Sequence, residues 1–150
     1  MTSGTPRSTR HLRAYRTRGH TVLEFHGEID IAAAQEIQPR LDRATEAPEA
    51  LVVIDLTPST FFDCSGLRLL CRARRRVVER CGQLVVVCPH PGTLRLLRLI
   101  RLFDVFRPYP SLEAALADAA PAERPVRRRF AWAAGRAACR RNRAGARTVW

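Results

Sequence analysis

The stretch STFFDCSGLRLLCRARRRVVERCG, residues 59–82, sets a small hydroxyl, Ser65, and a glycine, Gly66, between an acid, Asp63, and a long pattern of apolar residues and arginines. Four kinds of chemistry are open to such a turn: nucleophilic catalysis, anion binding, phosphorylation, and plain helix capping. A nucleophilic serine needs a base within hydrogen-bond reach and donors for an oxyanion. The esterase elbow carries glycines two residues either side of its serine, whereas Asp63 and Leu67 stand there in this chain. His11, His20, His26 and His90 have no sequence context that ties them to Ser65. No catalytic residue is assigned and enzymatic activity is not expected. A phosphate loop is excluded because GxxxxGK[ST] is absent, as is lysine altogether.

Two readings of the turn remain open. In the first, Asp63 or Ser65 accepts hydrogen bonds from the free amides of a helix first turn and does nothing else. In the second, Ser65 ends a strand–loop–helix turn whose outward-facing amides and helix dipole would stabilise a phosphate. That phosphate would add about two negative charges to the exposed surface, and a partner docked there would lose its fit. Gly66, lacking a side chain, would let such a partner approach the backbone closely.

The elements that must position this turn follow from patterning. HLRAYRT and TVLEFHG flank RGH and alternate apolar with polar residues, which predicts a hairpin with Val22 and Phe25 toward the core. Asp30 in GEID stands at a helix N-cap position, followed by Ala33, Ile37 and Leu41 at helical spacing. Pro39 is expected to bend or weaken that helix, and APEA to end it. LVVIDL, 51–56, reads as a strand buried on both faces, and TPST as a loop. From Ser65 a helix is expected with Leu67, Leu70, Cys71, Val77, Val78 and Cys81 inward, Arg74 falling on the same stripe as its one exception, Arg68, Arg72, Arg75 and Arg76 outward, and Gly82 closing it. QLVVVCP is a second buried strand, GTLRLLRLIRLF a helix, DVFRPYP a short edge strand, and SLEAALADAA a helix capped by Ser111. The result is an α/β domain over 11–120, preceded by a flexible lead at 1–10.

Composition limits the classes of function. All 26 basic residues are Arg, a uniformity better explained by codon composition than by selection for nucleic acid. Residues 1–120 hold 17 Arg and 13 acids, whereas 121–150 hold nine Arg and one acid. The Arg-rich tail at 121–150 is therefore expected to be disordered and dispensable to the core. Through it, non-specific nucleic-acid binding is conceivable, with Phe130, Trp132 and Trp150 available to stack on bases. The five cysteines form no CxxC pair and no His lies at ligand spacing, so no metal or other cofactor is expected. An odd cysteine count, a polar N-terminus and the lack of a long apolar run predict a cytoplasmic protein with no membrane partner.

The segments GEIDIAAA, VVIDLTPSTFFDCSGLRLL and GQLVVVCPHPGTLRLLRLIRLFDVFRPYPSLEAAL, together spanning about 11–119, resemble the STAS domain of bacterial anti-sigma-factor antagonists. The specific part is FFDCSGL after a buried strand, at its spacing from GEID. The resemblance implies a mixed β-sheet covered by α-helices. It implies a protein whose unphosphorylated form binds an ATP-binding anti-sigma-factor serine kinase and so releases a sigma factor. Phosphorylation of Ser65 by the kinase would end binding, and a phosphatase would restore it. Asp30, Asp63, Ser65, Gly66 and the adjoining Arg68 would border the partner face. Two positions depart from the family pattern: Cys64 replaces the first serine of the turn, which leaves Ser65 as its acceptor, and Ala33 stands where a threonine is common. A STAS-type scaffold that is not switched by phosphorylation is the alternative. Asp55 is expected to be structural, Cys71, Cys81 and Cys88 to pack in the core, and Cys64 to be exposed.

Overall fold

The computed structural model describes residues 7–119; the tail and Cys139 lie outside the described residues. Its five-stranded sheet has the order β1 (Arg7–Ser8), β2 (Leu12–Thr17), β3 (His20–Phe25), β5 (Leu51–Asp55) and β7 (Gln83–Val87). The first two pairings are antiparallel and the last two parallel, so the sheet is mixed. β1 falls within the ten residues expected to be a flexible lead. The hairpin turns on Arg18 and Gly19, both at positive φ, 49° and 79°. Left-handed backbone at both central positions matches the twist of the flanking strands.

β5 and β7 are near-continuous apolar runs because both of their faces are covered, and β3 keeps Thr21 and Glu24 among its apolar residues. On one face, Leu23, Phe25, Val52, Ile54 and Val86 pack against α1 (Ile31–Ala44), α2 (Cys64–Glu79), α3 (Pro91–Leu99) and α4 (Phe103–Phe106). On the other face, Val22, Val53, Val85 and Val87 meet Ala115, Leu116 and Ala119 at α5 (Leu112–Asp118) and its C-cap. The buried His20 ring lies between the carbonyls of Arg18 (3.0 Å) and Ala119 (3.1 Å), tying the end of α5 to the hairpin.

Several expectations from the sequence need correction. TPST is not all loop: Ser59 starts β6 (Ser59–Phe62), which pairs in parallel with β4 (Gly27–Ile29) in a separate two-stranded sheet. DVF is helical in α4, and only Tyr109 forms a strand-like bridge, to Val87. α1 continues through Pro39, whose side chain is exposed. The buried stripe of α2 is Gly66, Leu67, Leu69, Leu70, Ala73 and Val77, while Cys71 and Val78 are exposed. Cys81 lies beyond α2 with φ 59°. It takes the left-handed position expected of Gly82. The amides of Cys81 and Gly82 donate to Val78 O and Val77 O, at 3.2 and 2.7 Å, closing the helix in a Schellman arrangement. Gly82 is needed for another reason: a Cβ there would lie 2.5 Å from Ala50 O at the entry to β5.

Candidate partner-binding turn

The residues around Ser65 are placed by a chain of locked contacts that begins at Asp55. This buried carboxylate, at the end of β5, accepts from Thr57 N (2.9 Å) and Thr57 Oγ1 (2.6 Å). Ser59 Oγ donates to Leu56 O at 2.6 Å, and His90 Nε2 lies 2.9 Å from the same carbonyl and 3.1 Å from Thr57 O. The loop between β5 and β6 is thus held from both sides, consistent with a structural role for Asp55. β6 can then pair with β4, with Ile29 opposite Phe62.

That pairing puts Asp30 and Asp63 side by side, each the next residue after its paired strand position. Both have extended backbone and both cap a helix. Asp30 Oδ1 accepts from Ala33 N at 2.9 Å at the start of α1. Asp63 Oδ1 accepts from Ser65 N at 2.7 Å and from Gly66 N at 3.4 Å at the start of α2. Each carboxylate satisfies otherwise unpaired amides and faces the positive end of its helix. The capping reading of the turn therefore holds for Asp63.

Ser65 does not cap. It sits inside the first turn of α2, half-buried, and its hydroxyl makes no hydrogen bond among the described residues. Cys64 beside it is exposed, as is Arg68 one turn on. Gly66 is buried: a Cβ at that position would meet the Phe62 ring at 2.5–2.8 Å. Its missing side chain makes room for that ring, not for an incoming partner. None of the four histidines is bonded to Ser65; His11 pairs with Glu36 and His26 with Glu24. Among the described residues there is no group of three or more His, Cys, Asp or Glu placed to hold a metal.

Two apolar side chains missed in the sequence reading flank the turn. Ile31, at the start of α1, is 66% exposed, and Phe61 in β6 is 53% exposed. The signal that would have found them is the shared pattern of EID before α1 and FFD before α2, two short strands each followed by a capping aspartate. Phe61 and Phe62 also line a cleft of about 270 Å³ with His90, Gly92, Thr93 and Leu96. Two of the four arginines expected on the wet face of α2 do something specific. Arg72 Nε and Nη2 donate to the two oxygens of Asp42 at 2.6 and 2.8 Å, and Arg76 donates to Thr45 Oγ1 and Asp42 O at 2.8 and 2.9 Å. The Arg72 guanidinium holds the Asp42 carboxyl below its ordinary pKa. These bonds clamp α2 to the C-terminal end of α1.

The mixed sheet thus carries two adjacent capped helix starts, one of which holds a serine whose hydroxyl makes no hydrogen bond among the described residues. The STAS domain family model matches residues 11–115, and the chain belongs to that family. An anti-sigma factor antagonist from Mycobacterium paratuberculosis is 29% identical, the match covering 71% of this chain and 91% of that one with a TM-score of 0.64. An anti-sigma-factor antagonist (STAS) domain protein from Planctomyces limnophilus is 25% identical over 72% of this chain and 97% of its own, also at 0.64. The Bacillus cell fate determinant SpoIIAA in its phosphorylated form shares the fold at 20% identity and a TM-score of 0.58, over 71% of this chain and 97% of that one.

Proposed function

We propose that this protein is an anti-sigma-factor antagonist whose unphosphorylated form binds an ATP-binding anti-sigma serine kinase through the turn at Asp30, Asp63, Ser65 and Arg68. Phosphorylation of Ser65 ends that binding, and a phosphatase resets it. The observation that carries this reading is the state of the Ser65 hydroxyl, which makes no hydrogen bond among the described residues at the start of α2, a freedom it shares in this stretch with the exposed Thr60 of β6. Thr57 Oγ1 is held by Asp55, and Ser59 is buried and bonded to Leu56 O. A phosphate on Ser65 would stand beside the Asp63 and Asp30 carboxylates. Like-charge repulsion there would oppose the helix dipole and push the phosphate outward, into the space a partner needs. Gly66 supports the turn through Phe62 and is left out of the contact surface.

The test is to incubate the purified protein with each anti-sigma serine kinase of its source organism and ATP, then map phosphate by mass spectrometry. Modification of Ser65 alone is expected. Phosphate on Thr60, with Ser65 unmodified, would remove the proposed switch.

A further inference from the structure

A second apolar surface lies away from the turn. Of the six large hydrophobic residues exposed among the described residues, three fall within seven consecutive positions: Leu99 (75%), Ile100 (41%) and Val105 (43%). They occupy the end of α3, the connection after it, and α4. Arg95, Arg98, Arg101 and Arg107 are exposed in the same segment, against one acid, Asp104. Arg101 and Arg107 both take left-handed backbone, φ 61° and 44°, so the chain changes direction after α3 and again after α4. Arg98 is held over the Phe103 ring, 4.4 Å from its centroid. At its exposure Leu99 projects from the surface.

Projecting aliphatic side chains gain from an apolar medium, and the guanidinium groups around them gain from an anionic one. Nucleic acid supplies the anions without the apolar phase. A protein partner would have to match the fixed positions of both the aliphatic and the guanidinium groups. An anionic bilayer surface supplies phosphates at headgroup level and acyl chains just beneath, with no fixed shape to match. We infer that the α3–α4 corner, through the exposed Leu99, Ile100 and Val105 and the exposed Arg95, Arg98 and Arg101 of the same segment, docks on the surface of an anionic lipid bilayer. Such docking needs no spanning segment; among the described residues no helix is long and apolar enough to cross a membrane. The sequence-based expectation of no membrane partner rested on that lack of a span. The cleft beside Phe61 and Phe62 borders α3 through Gly92, Thr93 and Leu96, and none of Leu99, Ile100 and Val105 lines it.

The experiment uses the full chain and sedimenting vesicles of phosphatidylcholine alone or with about one-third phosphatidylglycerol, at low and high salt. The native protein is expected to bind the anionic vesicles roughly tenfold more tightly than the neutral ones, less so at high salt. The double variant Leu99→Asp, Val105→Asp should lose roughly tenfold in anionic-vesicle binding, and Arg95→Gln with Arg101→Gln should lose a comparable factor at low salt. Leu99→Ser, an uncharged change at the most exposed position, should weaken binding several-fold with an unchanged melting curve. It keeps the test decisive if the aspartates disturb the fold. Native-like vesicle binding by the folded apolar variants would assign the attraction to other arginines and overturn the inference. So would a native protein that binds neither vesicle, or one that binds duplex DNA and no vesicle.

Discussion

At the scale of single residues, the division of labour around the turn is unequal. Asp63 builds it, Gly66 admits the ring that braces it, and Ser65 is left unengaged. Removing each should therefore have a different signature. Gly66→Ala forces its Cβ into the Phe62 ring and should destabilise the domain by about 1–3 kcal/mol, read as a fall in the urea midpoint. Asp63→Ala strips the cap from α2 and should cost about 1 kcal/mol. Ser65→Ala removes no hydrogen bond made by the described residues, so its melting temperature should stay at the native value while phosphorylation is lost. A large destabilisation by Ser65→Ala would show that the hydroxyl is a structural group and that its freedom has been misjudged. At Cys88, burial raises the thiol pKa, consistent with a packing residue at the end of β7.

At the scale of elements, the clamp between α1 and α2 has a pH signature. Asp42 is held below its ordinary value of 3.8 by the Arg72 hydrogen bonds. A carboxylate depressed in the folded state contributes stability above its unfolded pKa and loses it as pH falls through the folded one. Both side chains are partly exposed, so solvent screening keeps the contribution small. The stability gap between the native protein and Asp42→Asn should be full near neutrality and shrink progressively below about pH 5, measured by urea unfolding. A gap that persists at low pH would place the effect in packing and not in the ion pair. Gly82→Ala, with its Cβ against Ala50 O, should cost about 1–3 kcal/mol because that neighbour is backbone.

The elements legible in the sequence were those whose patterning is carried by many residues: the hairpin, the doubly buried β5 and β7, and the helices starting after Asp30, Asp63 and Ser111. β4 and β6, at three and four residues, are too short to show a period, and their pairing is between segments far apart in sequence. Without that pairing the adjacency of Asp30 and Asp63, and the exposure of Ile31 and Phe61, could not be seen. The inward stripe of α2 was misread for a related reason. Helical spacing alone does not say which face meets the sheet, and Leu69 and Ala73 took the place given to Cys71 and Val78.

At the scale of the whole molecule, charge and surface separate into regions. Residues 19–39 and 44–67 contain no arginine, although the chain holds 26, and they include the acid-capped turn. The α3–α4 corner and the tail from 121 carry the opposite sign. We expect a chain cut after residue 120 to melt within a few degrees of the full protein, since α5 and the Ala119 carbonyl that meets His20 are retained. Unfolding on truncation would mean that the tail belongs to the domain. In the proposed switch, a charge at Ser65 decides whether the partner stays bound. Calorimetric titration of the cognate anti-sigma kinase with the native protein, its phosphorylated form and Ser65→Asp tests this directly. Phosphorylation should weaken binding at least tenfold and Ser65→Asp by a smaller factor, because a carboxylate carries about half the charge. Equal affinities for all three would contradict the switch and leave a STAS scaffold that binds without it.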